Sequence, residues 1–188
     1  MNTLKKSMTV ALLISCFLTL PVLAADKAAG EQRSATCVSC HGLAGKSSHA
    51  QFPNLAAQQP TYMINQLQAF KSGNRHNSMM ESIAVNLSAD DMANLAAYFA
   101  SQPAAKAGVD AVLAKTGQEK AAMCLGCHGE AGVGNGQFPR LAGQQPDYLL
   151  KQLTDFKEGS RKSSHMNAIA TTLSNDDMKA LAAYFGSL

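Results

Sequence analysis

An all-α fold, built as two tandem domains related by internal duplication, is predicted by three features of this 188-residue chain. The chain repeats itself densely, apolar residues recur at helical spacing in both copies, and no run alternates as a strand would. The repeat begins with Cys37-Val38-Ser39-Cys40-His41-Gly42, which returns as Cys124-Leu125-Gly126-Cys127-His128-Gly129. Phe52-Pro53-Asn54-Leu55-Ala56 returns as Phe138-Pro139-Arg140-Leu141-Ala142, and Gln58-Gln59-Pro60-Thr61-Tyr62 as Gln144-Gln145-Pro146-Asp147-Tyr148. Leu87-Ser88-Ala89-Asp90-Asp91-Met92 returns as Leu173-Ser174-Asn175-Asp176-Asp177-Met178, and both copies end on Ala-Ala-Tyr-Phe. The offset is 87 residues at the cysteine motif and 86 thereafter, so one residue is missing from the loop after the second His.

Residues 1–24 read as a secretory signal peptide: Lys5 and Lys6, the apolar stretch Met8 to Leu20, then Pro21 and small residues before a cut after Ala24. The alternatives are an uncleaved anchor, for which the stretch is short, and lipid attachment at Cys16 through the lipobox-like Leu13-Ile14-Ser15-Cys16. The first domain is placed at residues 25–102, a linker at 103–106 and the second domain at 107–188. Pro103 stops the helix before the linker and Gly108 loosens the join.

Within each copy two helices are predicted. One starts at Pro60, a tolerated first-turn position, runs through Tyr62, Ile64, Leu67 and Phe70, and closes at Gly73. The other is capped by Ser88 with acids in its first turn and puts Met92, Leu95, Ala96 and Phe99 on one face. The second copy repeats both from Pro146 and Ser174, while Gly132, Gly134 and Gly136 mark an irregular loop. With no Trp and only 6% aromatic residues, two such small cores are thin and call for a staple.

The Cys-x-x-Cys-His motif supplies one. Two thiols three residues apart reach neighbouring vinyl groups on one porphyrin edge, and the contiguous His is held under the iron. Cys37, Cys40, Cys124 and Cys127 are therefore assigned to covalent attachment of two haem c groups, with His41 and His128 as axial ligands. A redox dithiol would be expected on a βαβ unit, and zinc would require closer pairs; structural disulfides are the remaining rival in an exported chain.

Repeat equivalence selects the opposite ligand. Gly73-x-Arg75 aligns with Gly159-x-Arg161, which pairs Met80 with Met166 and Met79 with His165. Met80 and Met166 are taken as the ligands, with Met79 the rival in the first domain. Met92 and Met178 match too, but on an apolar face that suits packing. His76 aligns with Lys162 and His49 lies in an unmatched loop, so both read as surface residues. A neutral, soft thioether favours ferrous iron and raises the reduction potential. Filling both axial positions suits electron transfer, not catalysis.

These motifs together resemble the dihaem cytochromes c4 over nearly all of the chain beyond residue 24. The resemblance implies two class I cytochrome c domains about a pseudo-twofold axis. It also implies a periplasmic electron carrier, often associated peripherally with the membrane, working between a cytochrome bc complex and a terminal oxidase. It further implies that the Pro53 and Pro139 carbonyls accept from His41 and His128, and it offers Arg75 and Arg161 as partners of haem propionates or as exposed helix-end charges. The alternative function is the dihaem subunit of a periplasmic dehydrogenase, such as flavocytochrome c sulfide dehydrogenase. A peroxidase or gas sensor would need an open iron, which the methionines argue against.

Charge adds an exclusion. Loss of Lys5 and Lys6 takes the formal charge from +3 to +1, and four ionised propionates would bring it to about −3. Neither value suits a nucleic-acid partner.

Overall fold

The computed structural model describes residues 25–188; the signal-peptide and lipobox readings lie outside them. The described chain is all-α, with ten α-helices, five in each half, and no strand beyond an isolated bridge between Asn135 and Phe138. In the first half these are α1 (Lys27–Arg33), α2 (Val38–His41), α3 (Pro60–Lys71), α4 (Ser78–Ala84) and α5 (Ala89–Ala100). The second half repeats them as α6 (Ala111–Lys120), α7 (Ala122–His128), α8 (Pro146–Glu158), α9 (Ser164–Thr171) and α10 (Asn175–Ser187).

The start and stop signals act where the sequence puts them. Pro60 and Pro146 open α3 and α8. Gly159 caps α8 in the left-handed conformation at φ +79°, and Gly73 takes φ +72° just beyond α3. Ser88 and Ser174 each form a full capping box, with Asp91 and Asp177 returning the bond to the cap N–H.

Each half packs around its last helix. Met92, Leu95, Ala96 and Phe99 of α5 are buried with Met63 of α3 and Leu87. Leu181, Ala182 and Phe185 of α10 are buried with Leu149 of α8. Met63, rather than Tyr62, carries the core-facing register of α3; Tyr62 is drawn instead to the boundary between the halves.

The helices α1 and α6 are additions to the sequence reading. Each is capped by an aspartate, Asp26 or Asp110, and lies against the last helix of its half. Gly30 and Gly117 make that approach: an added Cβ would meet the Asn94 carbonyl oxygen at 2.1 Å, or that of Ala180 at 2.0 Å. No helix of the described residues is long and apolar enough to cross a membrane.

Candidate functional site

The two Cys-x-x-Cys-His motifs form matching helical turns. Cys37 ends a 3-10 turn, Cys40 and His41 lie in α2, and Cys124, Cys127 and His128 lie in α7. Spacing by three residues puts the cysteines of each pair on one helix face. All four carry free thiols, so the disulfide reading has no counterpart here. Burial pushes the Cys37 and Cys124 thiols up, keeping them protonated. Among the described residues no three His, Cys, Asp or Glu side chains converge as a metal-ion site would need.

Glycine is required after each His. Gly42 takes φ +73° and Gly129 φ +78°, ending the turn at once. A Cβ on Gly42 would lie 1.9 Å from the Lys46 carbonyl oxygen. The chain then folds back so that the Phe-Pro motif covers the imidazole. Phe52 stands edge-on to His41 with ring centroids 6.3 Å apart, and Phe138 to His128 at 6.4 Å.

The Pro53 carbonyl lies 2.9 Å from His41 Nδ1, and the Pro139 carbonyl 2.9 Å from His128 Nδ1. A carbonyl only accepts, so Nδ1 carries the hydrogen and Nε2 presents its lone pair. Burial lowers both histidine pKa values, partly opposed by the carbonyl bond, which keeps the rings neutral at neutral pH. A neutral imidazole with an anchored Nδ1–H is the form that ligates a metal.

The methionine segments are equally matched. Asn77 caps α4 by accepting from the Met80 N–H at 3.0 Å, and Ser163 caps α9 by accepting from the Met166 N–H at 3.4 Å. Met80 and Met166 thus hold the same third position of a short helix, and both are half-buried. Met79 is 48% exposed, with its sulfur 4.0 Å from Cys40 Sγ. His165 is exposed, as are His49 and His76. Met92 and Met178 are fully buried packing residues.

Arg75 and Arg161 are neither free nor at the surface. Arg75 donates to Gln66 at 2.8 Å in its own half, and to Tyr148 at 3.1 Å and Gln152 at 2.7 Å in the other. Arg161 mirrors this with Gln152 at 2.7 Å, Tyr62 at 3.0 Å and Gln66 at 2.9 Å. Each guanidinium also lies over a ring of its own half, 4.6 Å from the centroid of Phe70 or Phe156. Burial alone would raise the Tyr62 pKa, but the charges of Arg161 and Arg75 outweigh it and the net direction is downward.

The sequence reading gave no role to the repeated Gln-Gln-Pro. It forms a reciprocal clasp between the halves. Gln58 accepts from the Arg140 N–H at 2.7 Å and donates to its carbonyl at 3.0 Å; Gln144 does the same to Asn54 at 2.6 and 2.9 Å. Gln59 donates to Val133 and Gln145 to Ser47. Recurrence of two polar residues before a helix-opening proline was the available signal.

Three comparisons bear on this arrangement. The family model described as cytochrome c matches residues 28–103 and again 114–188. Cytochrome c4 of Pseudomonas aeruginosa is 39% identical over 197 aligned residues, which cover 94% of this chain and 98% of that one. The thiosulfate dehydrogenase electron acceptor of Stutzerimonas stutzeri is 38% identical, over 81% of this chain and 78% of its own. Among solved structures, reduced recombinant cytochrome c4 from Pseudomonas stutzeri superposes with a TM-score of 0.83 at 38% identity, covering 88% of this chain and all of that one.

Proposed function

From the premise that this chain belongs to the cytochrome c family, as a dihaem cytochrome c4, we propose that it carries electrons in the periplasm from a cytochrome bc complex to a terminal oxidase. Members of this family hold haem c covalently, one per domain, and the chain is an electron-transfer protein rather than an enzyme. The bound haem supplies a one-electron ferric–ferrous couple.

The assignment of residues is ours. Cys37, Cys40, Cys124 and Cys127 would attach the two groups; His41 and Met80 would ligate one iron, His128 and Met166 the other. Residues 25–102 and 107–188 would be the two haem-binding units. The observation that carries this reading is the pair of imidazoles, each tied at Nδ1 to a proline carbonyl and free at Nε2. That tie fixes the tautomer and the ring plane. The capped α4 and α9 hold the methionines at equivalent places, so each half keeps its own pair of ligands.

A second reading has its own support. The likeness to a thiosulfate dehydrogenase electron acceptor favours a periplasmic dehydrogenase as electron donor, the class that also includes flavocytochrome c sulfide dehydrogenase.

Absorption spectroscopy on protein matured in a periplasm tests the assignment. Two covalent haems per chain and the near-infrared sulfur-to-iron band of the oxidised protein are expected. Met80→Ala and Met166→Ala should each remove about half of that band; loss of the same half in Met79→Ala with Met80→Ala silent would move the first ligand to Met79. Partner choice is tested by reduction rates with purified bc complex and with thiosulfate dehydrogenase. Fast reduction by the dehydrogenase alone would favour the second reading.

A further inference from the structure

The two halves share much of the bracing of their methionine segments, although the caps differ, Asn77 against Ser163, and they part most at one position. In both, a lysine of the preceding long helix, Lys71 or Lys157, donates to the carbonyl of Leu87 or Leu173 across the base of the segment. In both, the arginine N–H returns to that helix: Arg75 to the Ala69 carbonyl at 3.1 Å, Arg161 to that of Asp155 at 3.0 Å. The halves diverge where Glu81 of the first stands in place of Asn167 of the second.

Asn167 makes three bonds that span the segment. Its Oδ1 accepts from the Ser163 N–H at 2.6 Å, and its Nδ2 donates to the carbonyls of Phe156 and, at 2.9 Å, Arg161. Glu81 reproduces only the first, accepting from the Asn77 N–H at 3.1 Å. An ionised carboxylate has no hydrogen to give, so Glu81 offers nothing to the equivalent carbonyls of Phe70 and Arg75. Its other partner is His76 at 3.2 Å, whose side chain is 78% exposed, and a pair in that setting contributes little.

We infer that Asn167 is a positioning residue that holds Met166 in place, and that the Met80 segment opens first, making the first half the entry point for small external ligands. The inference rests on the reading of Met80 and Met166 as axial ligands. Opening the second segment breaks the two bonds that Asn167 Nδ2 donates to part-buried carbonyls, while the bonds particular to the first are the exposed His76–Glu81 pair and the exposed Asn86 contacts. Two such donor bonds shift the equilibrium by about tenfold.

The test uses the oxidised, fully haem-loaded chain titrated with imidazole, followed by loss of the sulfur-to-iron band. Two phases of about equal amplitude are expected, with midpoints about tenfold apart. Glu81→Asn supplies the missing donor and should move only the tighter phase to higher imidazole. Asn167→Asp removes the donor without changing shape and should move only the weaker phase to lower imidazole. Because one variant adds bracing and the other removes it, general loss of stability cannot produce both shifts. A single phase in the unaltered protein, or variants that leave both midpoints in place, would overturn the inference. An unaltered protein with no band would instead overturn the ligand assignment.

Discussion

Gly30 and Gly117 show how much one missing side chain can position. Each lets an N-terminal helix touch the backbone of the last helix of its half, at a distance no Cβ tolerates. Both obstacles are carbonyl oxygens, which cannot rotate away, so the helices themselves must part. Gly117→Ala is expected to destabilise the haem-loaded protein by about 1–3 kcal/mol, the range for overpacking. Gly108→Ala, where nothing lies within 4 Å, should be close to neutral, and guanidinium unfolding of the two variants side by side measures the difference. This pair was visible in the sequence as a repeat at the offset of 87. Its meaning was not, because a glycine in a polar helix carries no apolar signal. The proposed haem-motif residues could be picked out for the opposite reason: the chemistry assigned to them is local, and neighbours in sequence would act on one group.

Among the helices, those whose start signal precedes an apolar stripe were legible, while α1, α4, α6 and α9, capped by Asp26, Asn77, Asp110 and Ser163, were not. Ser88 and Ser174 announce α5 and α10, whose apolar faces then bury as their spacing predicts. The helix α1 has no apolar stripe; its one buried residue is Gly30, so periodicity had nothing to report. The capping boxes supply two predictions. Ser174→Ala should cost about 1 kcal/mol, as loss of a serine cap does, read from the unfolding midpoint. Asp177 is held well below the usual carboxylate range by the Lys120 ammonium and by Ser174. A depressed carboxylate stabilises the fold fully above its unfolded value of about 3.9, and that contribution fades as pH falls below it. Asp177→Asn should therefore lower the melting temperature at pH 7 and converge with the unaltered protein in acid. Parallel curves down to acid pH would show that the ionised carboxylate is not the source.

At the scale of the molecule, the duplication was legible and the contact it creates was not. The repeat announced two like halves, but each clasp glutamine finds its partner 82 or 90 residues away in sequence, where no local pattern points. The same holds for Arg75 and Arg161, whose partners across the boundary replace the exposed helix-end reading. The clasp is strong because it is dry. Asn54 and Gln144 are each only 5% exposed, so removing the Gln144 amide leaves the Asn54 N–H and carbonyl buried without these partners. Each orphaned group costs about 1–3 kcal/mol, and the structure can relieve that only by letting water into the boundary. Gln144→Ala is therefore expected to loosen the halves before it unfolds either one. Calorimetry on the haem-loaded chain should turn one transition into two, and small-angle scattering should show a larger radius of gyration below the first. The sulfur-to-iron band should survive, because each ligand pair proposed above, His41 with Met80 and His128 with Met166, lies within one half. The double variant Gln58→Ala/Gln144→Ala removes both arms and should widen the gap between transitions. A single transition at the unaltered temperature in that double variant would mean that the contacts left in place, Gln59 to Val133, Gln145 to Ser47, Asn54 to Gly143 and the arginine–tyrosine crossing, hold the halves together without it.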